Sequence, residues 1–134
     1  MPKIRLPAKL ESLEKFLEFI SGSAKGKGFS ELRVKEIELA TEEVLVNIFS
    51  YAYHESPGEV EITDRKNEDD KLVLKILDYG TPFDPLSLSE PELTAHVSDR
   101  MAGGLGIFFI RKMADDIRYR RDGDANILTL TFSK

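Results

Sequence analysis

A chain of 134 residues, 41% hydrophobic and 32% charged, is long enough to bury one real core and predicts a single domain over 1–134. Its net charge of −5 gives no electrostatic support to general nucleic-acid binding, and the absence of cysteine excludes disulfides and thiolate zinc sites. No stretch approaches the ~20 apolar residues of a membrane span or resembles a signal peptide, so a cytoplasmic location with no membrane contact is expected.

Lys3 to Leu6 reads as a short edge strand stopped by Pro7. Leu10, Leu13, Phe16, Leu17 and Ile20 recur at helical spacing and predict a first amphipathic helix, expected to give way to a flexible connector at Ser21–Gly28. Lys25 and Lys27 stand among glycines there, but no Gly-Lys-Ser/Thr closes a Walker motif. Ser30 predicts the N-cap of a long second helix reaching about Tyr53, its apolar stripe carried by Ile37, Ala40, Val44 and Ile48. Val60 and Ile62 alternate with Glu59 and Glu61; with the charged turn Asp64–Asp70 and the apolar run Leu72–Leu77 they predict a hairpin. Thr81–Gly103, broken by Pro82, Pro85 and Pro91, holds no convincing strand; connections of that length are functional lids or disordered. Gly103-Gly104-Leu105-Gly106 opens an apolar helix from Ile107 to about Ala114. Ile117–Arg121, the turn Asp122-Gly123-Asp124 and Ile127–Phe132 predict a closing hairpin. This order predicts an α/β (α+β) two-layer sandwich on a mixed, mostly antiparallel sheet.

Three features could carry chemistry. Glu43 and Asn47 lie one turn apart near the edge of the apolar stripe of the second helix, where a carboxylate and a carboxamide can hold a proton acceptor and a metal together. A solvated helix face produces the same spacing. Asp78-Tyr79-Gly80 ends a strand and reads equally as a plain turn. Gly104-Leu105-Gly106 opens a helix, either as a tight loop or as a set of backbone N–H groups suited to phosphate.

In this order and at these spacings the three features resemble the N, G1 and G2 boxes of the GHKL ATPases. That is the Bergerat fold of gyrase, heat-shock chaperone, histidine-kinase and mismatch-repair ATP-binding domains. The run from Gly103 to Asp115, with Glu43-Val44-Leu45-Val46-Asn47, is similar to the bacterial anti-sigma-factor serine-protein kinases, which switch partners between a sigma factor and an anti-sigma-factor antagonist. The resemblance implies three helices on one face of the sheet, an ATP lid at Thr81–Gly103, and ATP with Mg²⁺ as cofactors. By the same resemblance Asn47 ligates the metal, Glu43 is the general base, and Asp78 accepts a hydrogen bond from the adenine amino group beside Gly80. Gly103, Gly104, Leu105 and Gly106 would face the triphosphate with backbone amides and the helix dipole. Arg100 is a candidate for the γ-phosphate, with a solvated loop residue as its alternative.

Departures from the family pattern also stand in the sequence. Tyr51 occupies a position where many of these kinases have histidine, and Asn126 stands about where a Gly-Thr pair is common, leaving Thr129 as the candidate adenine-binding threonine. The partner-engaging arginine of the first helix has no clear counterpart. His54 and His96 read as exposed residues. The implied function is an ATP-dependent serine/threonine kinase that acts as an anti-sigma factor and phosphorylates the antagonist, with a homodimer implied by resemblance alone. The alternative is a nucleotide-binding module that sequesters a partner with little or no phosphotransfer, and intact Glu43 favours the enzyme. The ATP-binding fragment of a histidine kinase is disfavoured, because neither histidine lies on a paired-helix pattern.

Overall fold

Period-two alternation in the strands and period-3.6 stripes in the helices give each element one apolar face, and those faces meet in a single layer of contact. In the computed structural model, which describes residues 2–52, 58–65, 70–82, 84 and 110–134, five strands form one sheet. They are β1 (Lys3–Pro7), β2 (Glu59–Asp64), β3 (Leu72–Asp78), β4 (Asp116–Asp122) and β5 (Ala125–Phe132), in the order β1-β2-β3-β5-β4. Every neighbouring pair is antiparallel. The sheet expected to be mixed is therefore antiparallel throughout: β5, which returns from the β4–β5 turn, inserts between β3 and β4 and runs against both.

Val60 and Ile62 of β2, Leu72, Leu74 and Ile76 of β3, and Leu128, Leu130 and Phe132 of β5 share one side of the pleat and one core cluster. That cluster also takes Phe16, Ile20 and Ala24 from α1 (Leu13–Gly26), and Val34, Ile37, Ala40, Val44 and Leu45 from α2 (Glu31–Asn47). Ile110, in the helical stretch 110–113, joins it and sets a third helical segment on the same face. The opposite face is lined by residues of the other parity, among them Thr63, Lys75, Leu77, Ile127 and Thr129, around an open cavity of about 470 Å³.

The first helix runs further than its glycines suggest. The stretch from Ser21 to Gly26 continues α1, because Ala24 lies one turn beyond Ile20 and packs fully buried in the core. The helix stops at a Schellman turn. Gly28 N–H donates to the Lys25 carbonyl at 3.0 Å and Phe29 N–H to the Ala24 carbonyl at 3.2 Å, with Gly28 at φ 85° and Phe29 buried. Of the predicted connector, only its last residues connect.

Candidate functional site

Ser30 starts α2 as expected: its backbone is extended and its hydroxyl oxygen accepts the Arg33 N–H at 3.1 Å. Arg33 then fixes where the helix begins. Its Nε donates to the Ser133 carbonyl at 2.8 Å, its Nη2 to Asp115 Oδ2 at 3.1 Å, and its guanidinium lies 5.6 Å from the centroid of the Phe132 ring. The start of α2 is thus pinned over the last residue of β5. A 17-residue helix is about 25 Å long, close to the length of an eight-residue strand. The far end of α2 packs through Val44 and Leu45 into the same core cluster as β3 and β5, and near the start of β5 Asn126 pairs with Asp78.

That far end carries Glu43 and Asn47. Asn47 is the last α-helical residue, 2% exposed, and the chain then widens into a π-turn at Ile48–Ala52. Among the described residues no hydrogen bond reaches its buried Nδ2. Leaving such a group unsatisfied costs about 1–3 kcal/mol, which marks it as a group prepared for something other than the fold. With no described residue bonded to Nδ2, a half-turn about the last torsion exchanges Nδ2 and Oδ1, so a hard oxygen can take the buried position. Glu43, one turn earlier, is half-buried at the edge of the stripe. Burial pushes its carboxyl above the usual carboxylate range, and the neighbouring Glu42 charge adds to the effect. A carboxylate with a raised proton affinity is a better proton acceptor at neutral pH.

At the end of the sheet, Asp78 is 2% exposed, on the core side of β3. Its Oδ1 accepts two hydrogen bonds, from Gly80 N–H at 2.9 Å and from Asn126 Nδ2 at 2.9 Å. Among the described residues its Oδ2 accepts none. Burial raises the Asp78 pKa, opposed by the hydrogen bonds from Asn126 and Gly80 and by the charge of Arg121. The Asx turn made by Asp78 and Gly80 is the local reason the strand ends there. A buried carboxylate with one committed and one open oxygen is a recognition element for a ligand N–H group.

The predicted residues separate cleanly. Asp78 and Gly80 belong to one hydrogen-bonded unit, and Glu43 and Asn47 to one helix edge. Thr129 does not join them: it alternates with Leu128 and Leu130, so it faces the opposite side of the sheet, beside Thr63 and Lys75. The candidate role of Thr129 in base binding is corrected on that parity. Asn126 occupies the place instead. The sequence signal for it was the pairing of the two predicted strands, which sets Asp78 opposite Asn126 only once the register is known. Arg100, Gly103, Gly104, Leu105 and Gly106, with most of the expected lid and both histidines, lie outside the described residues. Among the described residues there is no cluster of three His, Cys, Asp or Glu able to hold a metal. A magnesium ion held by one protein ligand, phosphates and waters requires no such cluster, and the Asn47 carboxamide fits that sparse demand. No described helix is long and apolar enough to cross a membrane.

Comparison with known proteins gives the family and the fold. A family model described as "Histidine kinase-like ATPase domain" matches residues 6–132. Serine-protein kinase RsbW of Listeria innocua is 31% identical over 133 residues, covering 94% of this chain and 83% of that protein. Serine-protein kinase RsbW of Bacillus cereus is 28% identical over 135 residues, covering 94% and 81%. The crystal structure of the RsbU and RsbW domains of a Mycobacterium tuberculosis protein matches with a TM-score of 0.62 at 14% identity, covering 99% of this chain and 32% of that chain. The histidine kinase domain of a blue-light activated kinase from Erythrobacter litoralis matches with a TM-score of 0.57 at 18% identity, covering 90% and 60%. At those identities the structural likeness shows a shared fold.

Proposed function

Because this chain belongs to the histidine kinase-like ATPase domain family, the GHKL group, with serine-protein kinases among its relatives, we propose that it is an ATP-dependent serine/threonine protein kinase. In this reading residues 1–134 form one nucleotide-binding kinase domain that works as an anti-sigma factor in a partner-switching system. It binds a sigma factor and phosphorylates an anti-sigma-factor antagonist, as a cytoplasmic homodimer that contacts neither nucleic acid nor membrane.

The observation that carries the reading is the helix edge: a half-buried Glu43 whose carboxyl is pushed up by burial, one turn from a buried Asn47 whose Nδ2 has no partner among the described residues. A module that only sequesters a partner needs no proton acceptor at that place. Asn47 would hold Mg²⁺ through its carboxamide oxygen. Asp78 would accept the adenine amino group through Oδ2, with Gly80 letting the backbone pass close to the base. The amides of Gly103, Gly104, Leu105 and Gly106, and the Arg100 guanidinium, would hold phosphates. Bound Mg-ATP supplies the phosphoryl group and neutralises its charge. Glu43 would take the proton from the hydroxyl of the partner serine or threonine.

The test is incubation of the protein with Mg-ATP and each antagonist-like protein of the same genome, read by mass spectrometry. One partner is expected to gain a single phosphate on a serine or threonine. Tight Mg-ATP binding with no phosphate on any partner would favour the sequestering module and refute the kinase reading.

A further inference from the structure

Asn126 is 4% exposed and sits at the centre of a polar network that the helix-edge chemistry does not use. Its Nδ2 donates to Asp78 Oδ1 at 2.9 Å and to the Thr81 carbonyl at 2.9 Å. Its Oδ1 accepts from Tyr119 Oη at 2.6 Å and from Arg121 Nη1 at 3.2 Å. Those four bonds engage both amide protons and both lone-pair directions, so only one orientation of the carboxamide satisfies them. A half-turn would set the NH₂ group against two donors and the oxygen against the Asp78 carboxylate. Arg121 also donates from Nη1 to the Gly80 carbonyl at 2.9 Å and from Nε to the Gly123 carbonyl at 3.1 Å. The β4–β5 turn, the residue that follows Asp78-Tyr79, and Asn126 are thereby held in one clamp.

Resting on the nucleotide-site reading above, we propose that Asn126, locked by Tyr119 and Arg121, is a positioning residue that sets purine selectivity by occupying Asp78 Oδ1 and keeping Oδ2 as a bare acceptor. A bare carboxylate oxygen takes a donor, so a purine with a 6-amino group is accepted. A 6-keto purine sets an acceptor against an acceptor and is refused. Without Asn126 the carboxylate loses a donor that favours its ionised form, and burial then drives it toward the protonated acid. A protonated Asp78 can donate to a keto oxygen, so selectivity is lost along with affinity.

The probes are Mg-ATP and Mg-ITP, which differ at purine position 6 and share sugar and phosphates, titrated by calorimetry into wild type, Asn126→Leu and Tyr119→Phe. Asn126→Leu should lower the ratio of ATP to ITP affinity about tenfold, the loss of one hydrogen bond to a charged group. Tyr119→Phe keeps the ring and removes one of the two donors to Asn126 Oδ1, so its ratio should fall in the same direction by about threefold. Equal weakening of both nucleotides by Asn126→Leu would make Asn126 a residue of the fold alone and overturn the proposal. An unchanged ratio in Tyr119→Phe overturns it even where Asn126→Leu does not fold. Wild type that binds neither nucleotide, or both equally, would instead refute the assignment of Asp78 to the base.

Discussion

Replacing Asn47 by leucine should make the protein more stable and functionless at once. Leucine has the same heavy-atom branching as asparagine with a bulkier tip, is a good helix former, and brings no polar atom into a place 2% exposed. The native Nδ2 is buried with no hydrogen-bond partner among the described residues, so the substitution removes an unsatisfied group and adds apolar burial. The expected gain is about 1–2 kcal/mol in the absence of nucleotide. For a domain of this size that raises the thermal midpoint by roughly 4–8 °C. Nucleotide reverses the ranking. At a hundredfold excess over Kd, Mg-ATP should stabilise wild type by about 2.7 kcal/mol, whereas the variant, lacking the metal ligand, should gain nothing. Circular-dichroism melts of both proteins with and without Mg-ATP read all four states. A less stable apo variant would mean that the Asn47 amide is satisfied in the fold. Equal stabilisation of the variant by Mg-ATP would mean that Asn47 does not serve the metal.

Glu43→Gln should leave Mg-ATP affinity unchanged and lower the rate of phosphate transfer by about 10²–10⁴, measured with radiolabelled ATP and the antagonist substrate. Its pH behaviour has a definite sign. Burial raises the folded pKa of Glu43 above the ordinary value of 4.5, so wild-type transfer should decline, as pH falls, earlier than for a solvated glutamate. For the same reason the contribution of Glu43 to stability is fully present below its unfolded pKa and is lost as pH rises through the raised folded value; the glutamine variant should show no such loss in urea titrations. Asp115 behaves oppositely. It accepts Ser133 N–H at 2.6 Å, Ser133 Oγ at 2.7 Å and Arg33 Nη2 at 3.1 Å, and the Ser133 bonds foremost hold its carboxyl below the usual range. Its contribution is present above the unfolded pKa and fades as pH falls through the depressed folded value. Asp115→Asn should therefore cost about 1 kcal/mol at pH 7, a figure kept small because the carboxyl is half-exposed, and the difference from wild type should vanish in acid. Gly28→Ala should cost about 1 kcal/mol, because the site holds φ 85° while a new methyl would meet only ordinary contact with Lys134, and a melt about 4 °C lower would report it.

Local pattern made most of this fold legible. Alternation at Val60 and Ile62 and the apolar run Leu72–Leu77 announce the first hairpin, and Ser30 marks the start of α2 because capping depends on residues within one turn. The end of α1 was misread for an equally physical reason. Glycine weakens a helix by about 1 kcal/mol, but the burial of Ala24 against the core outweighs it, and the core is not visible locally. Sheet order is likewise not legible locally: nothing in the β4–β5 hairpin says which of its strands meets β3. Thr129 was favoured as a residue type when the decisive property was parity, which only the register Lys75↔Thr129 supplies.

Three of the buried polar residues break the patterns around them in one consistent way. Asn47 follows Val44 and Leu45 in a buried stripe, Asp78 follows Leu74 and Ile76 on the core side of β3, and Asn126 precedes Leu128 and Leu130 on the core side of β5. In each case an apolar side chain would continue the element's own rule and lower the cost of burial. Asp78 and Asn126 offset part of that cost through each other, whereas the Asn47 amide has no such partner among the described residues. A fold optimised for stability alone would replace all three. Their retention, against the packing logic of one helix and two strands, makes stability in the presence of Mg-ATP the quantity that distinguishes a working site from three accidental polar residues.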